Sequence, residues 1–218
     1  LRRIDYLPDI KIVSNGRALH PEFLRQARDY PGAIRFNISM HSLDPAQHDR
    51  IVHNLMPAAT GVRDDLVRIQ SNLASLKAAG IPFKLNFVLL KGINTAPADI
   101  DRILAYALAV GARRGKFLEL LITKKLKALY PYYYRLQALR DQLGDQIALI
   151  ESGVRREVYR YRDTPLEIEL QGCTCSKGCN VCAINRDVNF TAELRYFPCF
   201  LHPEEGADLR VTPLDAAV

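Results

Sequence analysis

Residues 34–44 have the sequence IRFNISMHSLD, and this stretch decides the fold. Its first half is a short run of β-branched and aromatic residues with a few polar interruptions, which is typical of a strand. Asp44 then precedes Pro45, as an N-cap precedes a proline at the first helical position, and Gln47 stands where a capping box needs it. A strand that passes directly into a helix predicts a βα unit.

The same alternation continues on both sides of this stretch. Short apolar runs predict strands at residues 10–13, 34–40, 83–89 and 117–122. Amphipathic patterns and caps predict helices at residues 21–28, from 45 onward, at 64–79 and at 99–110. Repeated βα units with right-handed crossovers predict an α/β fold with a parallel sheet or barrel.

The last third of the chain changes character. A helix is predicted at residues 130–143, and short strands at 147–150, 154–161 and 166–170 predict hairpins. We therefore expect two domains, residues 1–128 and residues 129–218.

Polar residues interrupt the predicted strands near their carboxyl ends. In parallel α/β folds, functional residues lie at this end of the strands. The series consists of Ser14, Asn37, Ser39, Lys84, Asn86 and Glu119. A buried unpaired polar group costs roughly 1–3 kcal/mol, so these side chains need partners, and a polar ligand is one source. Structural alternatives exist for each position. Ser14 can belong to a tight turn, Lys84 can reach solvent from an edge, and Glu119 can form an ion pair with Lys84 or an arginine.

All five cysteines lie between Cys173 and Cys199, which argues for metal binding rather than disulfides in a chain of this length. Cys179 and Cys182 form a C-x2-C pair, and Cys199 follows sixteen residues after Cys182. The spacing of Cys175, Cys179, Cys182 and Cys199 suits a structural zinc site and an iron–sulfur cluster equally well.

The chain carries a net charge of +6 and no signal peptide or long apolar span. We expect a cytoplasmic protein that does not interact with membranes. The positive charge suits an anionic partner. Because the charge is spread along the chain, we expect a small anionic molecule rather than nucleic acid.

Five motifs, in order along the chain, resemble those of the GTP 3′,8-cyclase family, the radical S-adenosylmethionine (SAM) enzymes of molybdenum-cofactor biosynthesis. The motifs are Val13-Ser14-Asn15-Gly16, the stretch Arg35–Asp44, Lys84–Val88 with Lys91-Gly92-Ile93-Asn94, Phe117–Leu121, and the final Cys-x2-Cys…Cys. This resemblance implies a partial TIM-like (β/α)6 radical SAM barrel that retains its last four strands, followed by a cysteine-rich region for an auxiliary cluster.

The resemblance also implies a lyase and assigns roles to individual residues. Ser39 would contact SAM, and Ser14, Lys84 and Arg186 would bind a nucleotide substrate such as GTP. Cys179, Cys182 and Cys199 would hold an auxiliary 4Fe–4S cluster, with Cys175 or Cys173 as a further candidate ligand.

The motif for the initiating 4Fe–4S cluster and the glycine-rich SAM loop are not in the sequence, and we expect them on a preceding segment. We therefore expect this chain alone not to cleave SAM, a reaction that also needs an electron donor. Ile184 stands where the family has a second substrate-binding arginine. An alternative is therefore a related radical SAM enzyme that acts on another nucleotide or on a peptide. A non-catalytic module stabilised by zinc is the alternative from a different class.

Overall fold

The computed structural model describes residues 9–53, 65–122, 124–172, 189–191, 193–197 and 206–212. The chain divides into two compact units, Leu1–Cys173 and Thr174–Val218. No helix in the described part of the chain is long and apolar enough to cross a membrane.

The first unit contains a seven-stranded sheet with the order β1-β2-β3-β4-β7-β6-β5. Its strands are β1 (Ile10–Ser14), β2 (Ile34–Ser39), β3 (Phe83–Val88), β4 (Arg114–Leu118), β5 (Ile147–Ser152), β6 (Arg156–Tyr161) and β7 (Glu167–Gln171). Strands β1 to β4 and β7 run parallel, whereas β5 and β6 form an antiparallel hairpin beside β7. The prediction of a mixed α/β fold with a parallel-rich sheet is confirmed.

Five α-helices accompany the sheet in the described residues. They are α1 (Pro21–Asp29), α2 (Pro45–His53), α3 (Asp65–Ala78), α4 (Pro97–Ala109) and α5 (Leu136–Leu143). Two 3-10 segments, Lys124–Tyr132 and Gly144–Gln146, flank α5. The predicted continuous helix over residues 130–143 is therefore wrong in its first part, because Pro131 lies inside the 3-10 segment and cannot donate a backbone hydrogen bond.

One face of the parallel sheet is apolar and forms the core with the helices. Phe36, Ile38, Leu85, Phe87 and Phe117 alternate along β2, β3 and β4 and are fully buried. They belong to one apolar cluster with residues of α3 and α4, among them Ile69, Leu73, Ile100 and Leu104. The opposite face of the sheet carries the intervening residues, which are mostly polar.

The start of α2 has the predicted N-cap but not the complete capping box. Asp44 Oδ1 accepts a hydrogen bond from the backbone N–H of Gln47 at 2.9 Å. The Gln47 side chain does not return to the Asp44 backbone, because its Oε1 accepts a hydrogen bond from Ser42 Oγ at 2.8 Å. Ser42 Oγ in turn accepts from the Asp44 N–H, so three side chains share the capping of this helix.

The C-terminal part of the sheet differs from the expectation. Strand β7 is not only part of a hairpin, because it also pairs in parallel with β4 from Arg114↔Glu167 to Leu118↔Gln171. Strand β4 also begins at Arg114, earlier than the predicted residue 117, since Arg114 and Lys116 pair with acidic residues of β7. The sheet therefore crosses residue 128, and the division into compact units falls at residue 173 instead.

The second unit has a three-stranded antiparallel sheet in its described residues. Its strands are β8 (Asn189–Phe190), β9 (Arg195–Phe197) and β10 (Ala207–Asp208), in the order β10-β9-β8. Tyr196 of β9 is 5% exposed.

Candidate functional site

The polar face of the sheet, opposite the apolar core, brings charged and amide side chains into two rows. In the first row, strand register places Asn37 beside Lys84, Lys84 beside Arg114, and Arg114 beside Glu167. In the second row, two residues further along each strand, Ser39, Asn86, Lys116 and Glu169 are neighbours. The two rows lie on one face because residues two apart in a strand point the same way.

Glu169 is the centre of this face. Its side chain is 3% exposed and forms ion pairs with Lys84 at 3.2 Å, Arg114 at 2.8 Å and Lys116 at 3.3 Å. Burial by itself would raise the pKa of Glu169, but the hydrogen bond from Arg114 and the charges of Lys116 and Lys84 outweigh it and lower the pKa to about 2. The carboxylate is therefore ionised at neutral pH, and it holds three cations together.

Two of the predicted site residues, Ser39 and Lys84, lie on this polar face. Ser39 is the last residue of β2, and its Oγ makes no hydrogen bond with another described residue. Lys84 lies near the start of β3 and donates to Glu169 Oε2 at 3.2 Å. Burial lowers the pKa of Lys84, and the adjacent Glu169 carboxylate opposes this change. The ion-pair partner of Lys84 is therefore Glu169 of β7.

Ser14 lies at the end of β1 and pairs with Ile38, whose side chain is on the apolar face. The register therefore places Ser14 on the opposite face from Ser39 and Lys84. Its Oγ accepts a hydrogen bond from the Gly16 N–H at 3.0 Å, and Asn15 Oδ1 accepts from the Arg17 N–H at 3.2 Å. Gly16 has φ +75°. The segment thus forms the tight turn that was the structural alternative for it.

The predicted strand-end residue Glu119 follows β4 and acts at a helix start. Its Oε1 accepts a hydrogen bond from the N–H of Leu136, the first residue of α5, at 3.3 Å. A carboxylate in this position satisfies a backbone donor and interacts favourably with the helix dipole.

The loops after β2 and β3 are joined by Asn94 and His41. Asn94 is fully buried; its Nδ2 donates to the backbone oxygens of His41 and Val88 at 2.7 and 2.9 Å, and its Oδ1 accepts from the Leu90 N–H at 2.7 Å. His41 Nδ1 accepts from the Val88 N–H at 3.2 Å. The polar residues after these two strands therefore serve first to fix the carboxyl ends of the strands.

The remaining predicted site residues, Arg186, Cys173, Cys175, Cys179, Cys182 and Cys199, lie outside the described residues. His53 lies at the end of α2, and its side chain is also outside them. Among the residues that are described, no group of three or more His, Cys, Asp or Glu side chains could hold a metal ion.

Four residues of the two rows were not among the sequence-based candidates: Arg114, Lys116, Glu167 and Glu169. A signal was available, because residues 114–118 and 167–171 both alternate charged or polar residues with apolar ones, in Arg-Gly-Lys-Phe-Leu and Glu-Ile-Glu-Leu-Gln. Alternation of this kind indicates strands with one polar face. The opposite charges of the two strands suit direct pairing across neighbouring positions.

Two polar side chains, Ser39 and Asn86, lie near the carboxyl ends of β2 and β3. Asn86 is 8% exposed, and its buried Oδ1 has no hydrogen-bond partner among the described residues. Asn86 is the register neighbour of Ser39, which is itself available for hydrogen bonding. A ligand with amino or hydroxyl donors at this position would satisfy an oxygen that is otherwise costly to bury.

No protein-family model matches the chain. Among curated proteins, it is 28% identical over 168 residues to a probable GTP 3′,8-cyclase of Pyrobaculum aerophilum, covering 72% of this chain and 50% of that protein. It is 25% identical over 219 residues to a probable GTP 3′,8-cyclase of Methanocella arvoryzae, covering 96% of this chain and 63% of that protein. A 92-residue segment is 33% identical to the GTP 3′,8-cyclase of Erythrobacter litoralis, covering 41% of this chain and 24% of that protein.

The fold is similar to a solved radical SAM structure. SuiB of Streptococcus suis bound to S-adenosylmethionine aligns with a TM-score of 0.58 and 12% identity, over 94% of this chain and 46% of SuiB. A second SuiB structure gives a TM-score of 0.50 and 14% identity, over 88% of this chain and 44% of SuiB. The chain spans about half the length of the first of its curated relatives and of these structures.

Proposed function

We propose, from the premise that the chain has the fold of the radical SAM enzymes and resembles the GTP 3′,8-cyclases in sequence, that it forms the SAM- and substrate-binding part of such an enzyme. The observation that carries this proposal is the polar face of the parallel sheet, where Ser39 and Asn86 lie together at the carboxyl end and Lys84 lies nearby. When bound and reduced by one electron from the initiating cluster, SAM would supply the radical chemistry, and the residues of this chain would bind, orient and shield the reactants.

Ser39 and Asn86 are the residues that would hold SAM. Ser39 Oγ can donate to and accept from a ligand, and Asn86 Oδ1 can accept one further hydrogen bond. Both belong to neighbouring strands, and Asn94 joins the backbone at the ends of these strands through hydrogen bonds to His41 O and Val88 O, which would hold the two side chains in place before a ligand binds. Such preorganisation favours binding because less conformational freedom is lost.

The substrate proposed for this site is a nucleotide such as GTP, held by Lys84 with Arg186. Ser14 is not included, because it lies on the other face of the sheet. Support comes from the names of the curated relatives and from the cationic character of the polar face. Cys179, Cys182 and Cys199, with Cys175 or Cys173, are proposed to bind an auxiliary 4Fe–4S cluster, since thiolates at this spacing can share one centre.

A less anionic substrate, another nucleotide or a peptide, is the second candidate. It is favoured by the ion pair between Lys84 and the buried Glu169, because a lysine already neutralised binds a phosphate less strongly. It is also favoured by Ile184, which stands where the resemblance would place a cation.

Calorimetric titration of the anaerobically reconstituted chain with SAM tests the central proposal. We expect saturable SAM binding that is weakened about tenfold by Ser39→Ala, the loss expected for one hydrogen bond to a charged or strongly polar group. Ser71→Ala is the matched control, because this serine lies on α3, away from the polar face. Absence of SAM binding, or equal binding by Ser39→Ala, would contradict the assignment.

Two further measurements separate the alternatives. Saturable binding of GTP that decreases in Lys84→Gln supports the nucleotide substrate, whereas no binding of GTP favours the less anionic substrate.

Iron and sulfide in equal amounts after reconstitution support the cluster. Colourless protein that retains one zinc ion per chain under the same anaerobic conditions would instead support a zinc-stabilised binding module.

A further inference from the structure

A cavity of about 230 Å³ lies on the polar face, toward the amino-terminal ends of the parallel strands. Its walls include Lys11 of β1, Arg35 and Asn37 of β2, Lys84 of β3 and Arg114 of β4, with Arg156 of β6. We call it the amino-end pocket. Ser39 and Asn86, which carry the proposal for SAM, are not among the lining residues.

Positive charge is in excess in this pocket. Its lining contains one carboxylate, Glu151, and six cationic side chains, which are the lysines and arginines named above together with Arg113. Glu169 pairs with Lys84 and Arg114, Glu167 with Arg114, Glu151 with Arg156, and Asp9 with Arg35. Even when these four carboxylates are counted, six cations face four anions. Within the described residues, no ion pair is recorded for Lys11 or Arg113.

The pocket also contains a buried acceptor without a donor. Asn37 is 7% exposed and lines the cavity, and its Oδ1 has no hydrogen-bond partner among the described residues. Buried amide oxygens are nearly always satisfied, so an exception in a cavity indicates a missing partner. A ligand that satisfies Asn37 Oδ1 must donate a hydrogen bond. The same ligand must carry negative charge, because the lining of the pocket is cationic.

One simple ligand chemistry meets both requirements. A phosphate group offers oxygens to arginine and lysine, and at neutral pH its protonated form keeps a P–OH group that can donate to an amide oxygen. Sulfate has a similar size and charge but carries no proton at neutral pH, so it would leave Asn37 Oδ1 unsatisfied. The volume is below that of pockets for drug-sized molecules, about 300–1,000 Å³, and therefore suits a phosphate group rather than a whole nucleotide.

We propose that the amino-end pocket is a second ligand site, selective for a protonated phosphate group, in which Lys11, Arg35 and Arg113 supply the positive charge and Asn37 Oδ1 accepts a hydrogen bond from the phosphate P–OH group. The site shares Lys84 with the proposed substrate site. It goes beyond the function proposed above, because it lies toward the other end of the strands from Ser39 and requires neither SAM nor a cluster.

Titration calorimetry of the whole chain at pH 7, with inorganic phosphate and then with sulfate, tests the proposal. We expect saturable phosphate binding at least tenfold tighter than sulfate binding, since one hydrogen bond to a charged group is of this size. Lys11→Ala combined with Arg35→Ala should weaken phosphate binding at least tenfold. Asn37→Leu should bring the phosphate and sulfate affinities together. Absence of saturable phosphate binding, or equal affinity of the parent chain for sulfate, would overturn the proposal.

Controls separate the pocket from general charge and from folding. Arg28→Ala combined with Arg68→Ala also removes two positive charges, but from exposed positions on α1 and α3, and should leave phosphate binding unchanged. If this variant loses as much affinity as the pocket variant, binding is non-specific and the proposal is wrong. Thermal midpoints show whether Asn37→Leu is folded. If Asn37→Leu does not fold, the double variant Lys11→Ala and Arg35→Ala tests the proposal. Both of its side chains are exposed, so their replacement should not unfold the chain.

The source of the phosphate group is identified by a third titration, in which glycerol 3-phosphate and inorganic phosphate are compared at about pH 5.5. This pH is below the second pKa of a phosphate monoester, about 6, so both ligands keep a P–OH group. Tighter binding of this ester than of inorganic phosphate indicates the terminal phosphate of an organic molecule, and weaker binding indicates the free ion; both results support the site. A failure of SAM to bind would leave these results unaffected, so this proposal and the proposed function can fail independently.

Discussion

The carboxylate of Glu169 organises the polar face, and its removal should be costly. Replacement by glutamine leaves Lys84, Arg114 and Lys116 close together without their common anion. Loss of one partner of a buried ion pair destabilises a protein by about 3–5 kcal/mol. We expect Glu169→Gln to lower the free energy of unfolding in urea by an amount in this range.

Glu151→Gln is the matched control for that change. Glu151 also pairs with an arginine of the sheet, Arg156, but both side chains are nearly half exposed. Exposed ion pairs contribute about 0–1 kcal/mol, so this variant should be almost as stable as the parent. Equal losses in the two variants would show that Glu169 has no special role.

The depressed pKa of Glu169 gives the stability of the chain a dependence on acid. The folded pKa of about 2 lies below the ordinary value of 4.5, so the contribution of this residue is complete above about pH 4.5 and is lost as the pH falls toward 2. Urea midpoints measured from pH 6 to pH 3 should fall less steeply in Glu169→Gln than in the parent. Parallel curves would contradict the assignment.

His41 should remain neutral to unusually low pH. Burial, assisted by the charge of His48, lowers the pKa of His41 from 6.5 to about 4. The neutral ring is the form that can accept the hydrogen bond from the Val88 N–H. Because the unfolded chain takes up this proton first, His41 should destabilise the fold as the pH falls from about 6.5 toward 4. Titration of the ring by NMR should give a midpoint near 4, and a midpoint near 6.5 would refute this account.

At the scale of elements, the turn after β1 depends on a glycine for two reasons. Gly16 has φ +75°, and a Cβ atom there would lie 2.8 Å from Ile38 Cγ2 and 3.3 Å from Ile69 Cγ2. Gly16 O also accepts a hydrogen bond from Asn72 Nδ2 at 2.7 Å, which joins the turn to α3. The turn is therefore packed directly against the core.

Gly16→Ala should consequently destabilise the chain more than Gly80→Ala does. Gly80, after α3, has φ +68° but no atom within 4 Å of an added Cβ, so it isolates the backbone effect of about 1–2 kcal/mol. Overpacking should add about 1–3 kcal/mol at Gly16. Chemical denaturation of both variants measures the difference, which should vanish if the turn can move away from Ile38.

How well an element could be predicted depended on the range of the interactions that form it. The start of α2 was correctly predicted from Asp44 and Pro45, because a helix cap involves residues close in sequence. The parallel pairing of β7 with β4 was missed, because the charges that favour it, such as Arg114 and Glu167, are far apart in the chain. The sequence predicted only the antiparallel hairpin pairing of neighbouring strands, which β5, β6 and β7 also form.

The sequence also predicted only part of the candidate site. Ser39 and Lys84 were grouped as polar interruptions of predicted strands, and the register places both on the polar face. Ser14 was grouped with them, but a shift of one residue along a strand changes the face, and only the register shows that Ser14 falls on the other side. The roles of these residues, and those of the cysteines, stay predictions.

At the scale of the whole molecule, burial across the sheet is unequal. The central strand β3 is largely buried and has a neighbour on each side, whereas β5 is the last strand and is exposed along most of its length. Local opening is easiest where few apolar contacts are lost. We expect amide hydrogen exchange in native conditions to be at least about 100-fold slower in β3 than in β5. Equal rates would mean that the sheet opens only as one unit.

Because burial decreases from β3 to β5, the edge of the sheet can move while its interior stays intact. The ion pairs of Glu169 connect β7 with β3 and β4, and β6 lies between them and β5. Transient detachment of the outermost strand can thus occur without loosening the charged cluster. The hairpin edge would then be free to fluctuate, or to exchange its hydrogen bonds for those of another strand, while the polar face keeps its shape.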